Sequence, residues 1–176
     1  MRWAIGGCTA LAAGVTVWRL TGTWALVPFL GLVVVAAALS WIDLRERRLP
    51  NRIVLPAIAA SVPLLLGAAL LDGAVSRGLT AIAGGAALFV LYLVLALVSP
   101  RGMGMGDVKL AALVGLFAGY LGWATLVVAA FAGFLVGGLV ALVGIIAGRA
   151  TRATAIPFGP WMLVGLWLAV AIAVAR

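Results

Sequence analysis

Few residues of this sequence could catalyse a reaction, and its acids are the main candidates. The four acids are Asp43, Glu46, Asp72 and Asp107, while histidine is absent and Cys8 is the only cysteine. This composition excludes Ser-His-Asp triads, Cys-His dyads, disulfides within the chain and Cys-x-x-Cys zinc sites. We therefore expect neither a metal site nor a cofactor, and paired carboxyl groups are the main route to peptide hydrolysis that this composition leaves open.

Asp43 and Asp107 are the two acids whose positions suit catalysis. Asp43 ends a long apolar segment and Asp107 begins another, and ionisable groups at such depth are costly and are candidates for function. Two carboxyl groups brought close together do not both ionise easily, so one pKa rises and the pair shares a proton. The ionised partner can then accept a proton from water, while the protonated partner polarises a peptide carbonyl. The pair predicts peptide hydrolysis by an aspartyl mechanism.

Both aspartates also have a structural interpretation. Asp43 could pair with Arg45, Arg47 or Arg48, which follow it closely. Asp107 could be the N-cap of the helix that follows it, a position where aspartate is favoured. From these residues alone, the structural interpretation is at least as good as the catalytic one.

Gly104 and Gly106 precede Asp107 in the run Gly-Met-Gly-Met-Gly. Glycine adopts positive φ without penalty, so we expect at least one of them to take a conformation that would strain a side chain, or to let a substrate backbone come near. A phosphate-binding loop is a weak alternative, because no strand precedes the run and no Lys-Ser/Thr pair follows it.

The elements that must position these groups belong to a membrane protein. Hydrophobic residues make up 66% of the 176 residues and charged residues 9%, whereas a soluble domain is about 25% charged. Because a spanning helix takes about 20 apolar residues, we expect one membrane-embedded domain over residues 1–176, an all-α bundle of about six to seven transmembrane segments. The predicted segments are Trp3–Trp18, Trp24–Ile42, Ile53–Leu71, Leu79–Val98, Val108–Gly119, Trp123–Ala147 and Ile156–Val174.

Two details of this pattern bear on packing. The segment Val108–Gly119 is short for a span, so we expect it to be tilted, partly inserted or beside a polar cavity. Gly84, Gly85, Gly133, Gly137 and Gly138 are expected to let helices approach closely, because apolar burial gives no drive for helix association in lipid.

The basic residues indicate the orientation of the chain. With seven spans, the N-terminus and the second, fourth and sixth connections share one side, which carries nine of the 12 Lys and Arg residues. These nine are Arg2, Arg45, Arg47, Arg48, Arg52, Arg101, Lys109, Arg149 and Arg152. Positive charge accumulates in the cytoplasm, so this side, with the N-terminus, Asp43 and Asp107, is predicted to be cytoplasmic and Asp72 to lie opposite. The net charge of +8 therefore reflects topology, and no nucleic-acid partner is expected.

Three stretches of sequence resemble one family. Residues 42–52, IDLRERRLPNR, resemble the first aspartate region of the type IV prepilin peptidases. Residues 104–110, GMGDVKL, are similar to the second, the GxGD motif, and residues 156–160, IPFGP, to the segment that opens the family's last helix. A lone GxGD would be weak, but three matches in the family's order, from about Trp24 to the C-terminus, favour catalysis over the structural interpretation.

The resemblance implies a multi-pass aspartyl endopeptidase of the bacterial inner membrane, with Asp43 and Asp107 as the catalytic pair. Its partners would be membrane lipid and pilin-like precursors, which it would cleave on the cytoplasmic side, usually after a glycine, to remove a short basic leader. Glu46, Arg48 and Lys109 are candidates for contacts with substrate or lipid headgroups. Long members of the family add a methyltransferase region with paired cysteines, so we expect a short, peptidase-only form without N-methyltransferase activity.

Two other functions stay open at this point. A transporter or channel subunit shares the Gly-rich helices and buried acids, but it requires a polar path, and no acid or lysine lies near the centre of a predicted span. A non-catalytic membrane assembly protein would tolerate the loss of either aspartate. The oligomeric state and the precursor are not predicted.

Overall fold

The computed structural model describes residues 2–99, 103–148 and 157–173, which form seven α-helices and no strand. The helices are α1 (Arg2–Leu20), α2 (Leu26–Glu46), α3 (Asn51–Leu71), α4 (Val75–Val98), α5 (Met105–Leu121), α6 (Trp123–Ile146) and α7 (Gly159–Ile172). The predicted all-α bundle is confirmed. Parts of the prediction lie outside the described residues, namely the segment ends Ile156 and Val174, the side chain of Arg2, and Arg101, Arg149 and Arg152.

Four of the described helices, α2, α3, α4 and α6, are long and apolar enough to cross a membrane. At a rise of 1.5 Å per residue they are about 30–36 Å long, which matches a hydrocarbon core of about 30 Å. Their outer faces carry exposed apolar side chains such as Val34, Leu97 and Leu135, which a bilayer would cover. The fold is that of a multi-pass membrane protein, and the cytoplasmic orientation of its N-terminus stays a prediction.

Helix α5 is the innermost element of the bundle. Every residue from Leu113 to Tyr120 is buried, and α5 packs against α3, α4, α6 and α7. It is longer than the predicted segment Val108–Gly119, because its first turn begins at Met105. Neighbouring helices cover this helix on several sides, so it brings Asp107, in its first turn, into the interior of one end of the bundle.

Glycines set how closely α5 is held by α4. A β-carbon added to Gly84 would lie 2.7 Å from the carbonyl oxygen of Gly115, and one on Gly85 would lie 2.9 Å from the side chain of Leu116. On α6, a β-carbon on Gly133 would lie 3.2 Å from the backbone of Met162 in α7. The predicted packing role of these three glycines is confirmed, as is that of Gly137, where a β-carbon would lie 2.9 Å from the Phe158 ring. The prediction for Gly138 is wrong, because no atom lies within 4 Å of a β-carbon there.

Candidate active site

Asp43 lies in the last turns of α2, with its carboxyl group turned into the bundle. The residue is 4% exposed, and its Oδ2 accepts a hydrogen bond of 3.1 Å from the backbone N–H of Gly159. The neighbouring arginines do not pair with it: Arg45 stacks on the ring of Trp41 at 4.1 Å, and Arg47 and Arg48 are exposed while Asp43 is buried. The interpretation of Asp43 as an ion-pair partner is therefore wrong.

Asp107 is the third residue of α5, and Gly104 is the N-cap. The Asp107 Oδ2 accepts a hydrogen bond of 3.1 Å from the Gly104 N–H, while the Asp107 N–H donates to the Gly104 carbonyl. An acid at this position reaches back to the cap as in a capping box. The interpretation of Asp107 as the N-cap is thus wrong, because the N-cap is Gly104, three residues earlier. The Oδ2 atom of Asp107 is held in the first turn of α5 by the Gly104 N–H.

The fold brings the two carboxyl groups to the same end of the bundle. A β-carbon on Gly159 would lie 2.8 Å from Asp43 Oδ2 and 3.2 Å from Leu110 Cδ2. Leu110 follows Asp107 by three residues, so both lie on the same face of α5. The negative charge of Asp43 also acts on Asp107. Side chains from α2 and α5 therefore meet beside the first residue of α7.

Asp107 is outside the four helices that could span a membrane, and its environment favours the protonated acid. Burial raises the pKa of Asp107 to about 6. The Gly104 N–H opposes this rise, and the charge of Asp43 adds to it. Since burial and a neighbouring like charge both disfavour ionisation, Asp107 can hold or release a proton close to neutral pH.

The loop between α2 and α3 fixes the start of α5 against this pair. A β-carbon on Gly106 would lie 3.0 Å from the Cβ of Leu49, and Lys109 Nζ donates a hydrogen bond of 2.8 Å to Asn51 Oδ1. Lys109 therefore has a structural partner, in addition to its predicted role toward substrate or lipid.

Comparison with known proteins identifies the family. The family model of the type IV leader peptidases matches residues 29–142, a range that contains both aspartates. The chain belongs to the type IV leader peptidase family.

The relatives of this chain in the family are longer proteins. The chain is 34% identical over 165 residues to the prepilin leader peptidase/N-methyltransferase of Aeromonas salmonicida, and 32% identical over 167 residues to that of Pseudomonas aeruginosa; each match covers 92% of this chain and 54% of the relative. The Bacillus subtilis relative is 28% identical over 165 residues, covering 94% of this chain and 62% of its own length. The chain thus spans a little over half the length of these relatives. No solved structure matches it.

The other predicted site residues lie at different distances from the pair. Glu46 and Arg48 are exposed at the end of α2 and in the loop that follows. Asp72 lies at the opposite end of the bundle, where it accepts hydrogen bonds from the Trp24 N–H at 2.9 Å and the Tyr120 hydroxyl at 3.4 Å. Asp72 thus connects the end of α3 with the turn before α2 and with α5, as a structural residue.

Of the two alternatives expected for Gly104 and Gly106, the structure bears on the backbone conformation, and the approach of a substrate stays a prediction. Gly104 has φ −86° and ψ 155°, and neither glycine is among the described residues with positive φ. The predicted strained conformation is therefore wrong, since side chains adopt such backbones freely. The two glycines differ in the room that a side chain would have. The atom nearest to a β-carbon on Gly104 would be Asp107 Oδ2 at 3.6 Å, whereas a β-carbon on Gly106 would lie 3.0 Å from the Cβ of Leu49.

An aromatic wall beside the pair was not predicted. The ring centroids of Tyr92 and Phe134 are 5.3 Å apart, and those of Phe134 and Phe158 are 5.2 Å apart. Tyr92 is buried on α4 within electrostatic reach of Asp107, and Phe158 directly precedes Gly159. The three rings form an apolar surface beside the pair. The signal in the sequence was a tyrosine, one of two in the chain, within an apolar segment.

The described residues offer carboxyl groups to the reaction and no metal cluster. In ranges 2–99, 103–148 and 157–173, no group of three or more His, Cys, Asp or Glu side chains lies close enough to hold a metal ion. What the arrangement offers chemically is a pair of acids, each with one oxygen held by a glycine N–H, beside an apolar wall.

Proposed function

We propose that this protein is an aspartyl endopeptidase in which Asp43 and Asp107 act together on one water molecule and one peptide bond. The observation that carries the proposal is the position of both acids at one end of the bundle, where Asp43 is buried against Gly159 and its negative charge acts on Asp107. Membership of the leader peptidase family supports peptide hydrolysis as the reaction.

The environments of the two acids suggest how they divide the work. Asp107, with a pKa raised to about 6 by burial, is the protonated partner that donates a hydrogen bond to the scissile carbonyl. We assign the ionised role to Asp43, whose Oδ2 accepts the Gly159 N–H. Asp43 takes a proton from the water molecule, and the oxygen of that water attacks the carbonyl carbon. At the same time, the carbonyl oxygen takes the proton of Asp107. When the C–N bond breaks, the amine leaves with the proton held by Asp43, and Asp107 recovers its proton from the diol.

The substrate that we propose is the leader of a pilin-like precursor. The relatives that match this chain are named prepilin leader peptidases, and we extend that activity to the present chain. A basic leader needs an acidic contact, and Glu46 is exposed three residues beyond Asp43. The excess of basic residues predicted on this side supports a site that faces the cytoplasm, in the inner membrane of a bacterium.

The test is a cleavage assay in inner-membrane vesicles of defined orientation that contain the full chain. The probe is a synthetic precursor with a lysine-rich leader, a glycine at the junction and an apolar helix of about 20 residues. We expect cleavage after the glycine in inverted vesicles, which expose the cytoplasmic face, and in right-side-out vesicles only after permeabilisation.

The two ways in which this experiment can fail are distinct. Cleavage confined to intact right-side-out vesicles would contradict the cytoplasmic site while leaving the peptidase in place. A folded protein that cleaves the probe in neither preparation, even after permeabilisation, would remove the proposed activity.

The protonation of Asp107 gives an independent prediction. The sequence has three aspartates, so protein labelled with ¹³C at the aspartate carboxyl carbon gives three resonances that can be titrated. We expect Asp107 to titrate near pH 6, and its pKa to fall in Asp43→Asn, because the negative charge of Asp43 raises it. Activity should decline as pH rises through this pKa, since the acid that polarises the carbonyl is lost. A pKa of Asp107 near 4 that Asp43→Asn leaves unchanged would contradict the pairing.

A further inference from the structure

Tyr92 is a buried residue near the aspartates that the proposed mechanism leaves unused. Its side chain is 1% exposed, and it lies in the second half of α4. A tyrosine hydroxyl can donate and accept hydrogen bonds, and its burial among apolar side chains is costly unless it finds a partner. The packing of α4 on α5 determines which part of the site this hydroxyl adjoins.

Helices α4 and α5 run antiparallel, in a register that their close contacts fix. A β-carbon on Gly119 would lie 3.3 Å from the Cα of Ala81. One turn further along α4, a β-carbon on Gly85 would lie 2.9 Å from the side chain of Leu116. Each turn forward on α4 therefore corresponds to about one turn back on α5.

This register places Tyr92 at the level of the first turns of α5. Tyr92 follows Gly85 by seven residues, which is about 10 Å along the helix. The residue that precedes Leu116 by seven is Lys109, and Asp107 is in the same turn. The negative charge of Asp107 acts on Tyr92, as expected for two groups at one level.

The ring of Tyr92 also adjoins the segment that holds Asp43. Its centroid is 6.4 Å from that of Phe158, and Phe158 directly precedes Gly159, whose N–H binds Asp43. Stacking on Phe134, with centroids 5.3 Å apart, adds a second contact. The ring is therefore held between α6 and the residues that open α7, on the side of the bundle end where both acids lie.

The hydroxyl of Tyr92 has no hydrogen-bond partner among residues 2–99, 103–148 and 157–173. In this part of the chain, the buried side-chain polar atom that is sealed without a partner is Trp161 Nε1 and not this hydroxyl. The hydroxyl therefore keeps exposed surface from which it can bond a ligand. The other tyrosine of the chain, Tyr120, already donates its hydroxyl hydrogen to Asp72.

We propose that Tyr92 is a third catalytic residue of the proposed peptidase, on which this role rests, and that its hydroxyl donates a hydrogen bond to the oxygen of the scissile carbonyl. A carbonyl oxygen has two lone pairs, so it can accept from protonated Asp107 and from Tyr92 together. Negative charge develops on this oxygen as water adds to the carbonyl carbon, which strengthens the bond from Tyr92 in the transition state. The oxygen takes the proton of Asp107, and Tyr92 keeps its own proton throughout.

The test is the cleavage kinetics of Tyr92→Phe with the precursor probe in inverted vesicles, measured against the wild type. Phenylalanine keeps the ring and its stacking and removes only the hydroxyl. We expect kcat to fall about 10²-fold, as for the loss of one donor to a developing oxyanion, with KM and the pKa of Asp107 unchanged. Tyr120→Phe removes the other tyrosine hydroxyl, at the opposite end of the bundle, and should keep the wild-type kcat.

A second measurement keeps the proposal testable if Tyr92→Phe does not fold. Because the chain has two tyrosines, Tyr120→Phe labelled with 3-fluorotyrosine carries its only fluorine at Tyr92. The ligands are two precursor analogues, one with a CH(OH) group and one with a CH₂ group in place of the scissile carbonyl. We expect the CH(OH) analogue to shift the ¹⁹F resonance of Tyr92 more than the CH₂ analogue does, since only the former offers an oxygen to the hydroxyl.

The results that would overturn the role of Tyr92 differ from those that would remove the peptidase. Wild-type kcat in folded Tyr92→Phe, or equal ¹⁹F shifts with the two analogues, would overturn the role and leave the aspartyl pair in place. A lower kcat accompanied by a changed pKa of Asp107 would assign Tyr92 to the placement of that acid, which also contradicts the proposed bond to substrate. A wild type that cleaves no probe would remove the peptidase, and this role with it.

Discussion

Asp43→Asn and Asp107→Asn are each expected to reduce cleavage of the precursor probe by about 10³-fold or more while leaving the bundle folded. Removing one acid removes either proton acceptance from water or polarisation of the carbonyl, and such proton transfers typically contribute 10²–10⁴-fold to a rate. Asparagine keeps the shape of the side chain, and its amide oxygen can still accept from the Gly159 or Gly104 N–H. The loss should therefore appear in the rate per folded molecule and not in the yield of protein.

The remaining acids of the chain serve as matched controls. Glu46→Gln changes an exposed carboxyl group close to the site, and Asp72→Asn changes one that is hydrogen-bonded at the other end of the bundle. Both should keep the kcat of the pair, whereas Glu46→Gln should raise the KM for the lysine-rich leader and Asp72→Asn should lower stability. Wild-type cleavage by either Asp43→Asn or Asp107→Asn would contradict the mechanism. A protein that acts in assembly or transport would not show this selective loss.

The sequence predicted the helices well because each one is a long apolar run bounded by charged, Gly or Pro residues. It could not predict that α5 lies at the centre. A helix that faces lipid and a helix that faces other helices are both apolar, so composition does not separate them. The glycines of α4 were informative, because Gly84 and Gly85 are small residues on one helix and do pack closely against α5.

The sequence also placed both aspartates at one end of the bundle, but not the groups that hold them. Gly104 was expected to bend the backbone, yet glycine permits positive φ without requiring it, and here it acts through its N–H. Gly159 holds Asp43 in the same way. A backbone donor has no signature in the sequence, because every residue except proline carries an N–H.

Gly159→Ala is expected to be the most damaging substitution outside the two aspartates. The added β-carbon would lie 2.8 Å from Asp43 Oδ2 and 3.2 Å from Leu110 Cδ2, so the carboxyl group has to move. Gly159 is the first residue of α7 and does not have positive φ, so the cost comes from this contact and not from the backbone. A displacement of about 1 Å at a reacting group costs on the order of a hundredfold in rate. The measurement is cleavage per folded molecule.

Gly104→Ala is the matched control, because Gly104 holds the other aspartate through the same kind of hydrogen bond. Its N–H donates to Asp107 Oδ2 at 3.1 Å, as the Gly159 N–H does to Asp43 Oδ2. A β-carbon on Gly104 would lie 3.6 Å from that oxygen, an ordinary contact, so Asp107 keeps its place. We therefore expect Gly104→Ala to cleave nearly as fast as the wild type and Gly159→Ala to be far slower. Equal activities of Gly104→Ala and Gly159→Ala would mean that Asp43 tolerates displacement. That result would contradict the mechanism, in which Asp43 and Asp107 must share one water molecule.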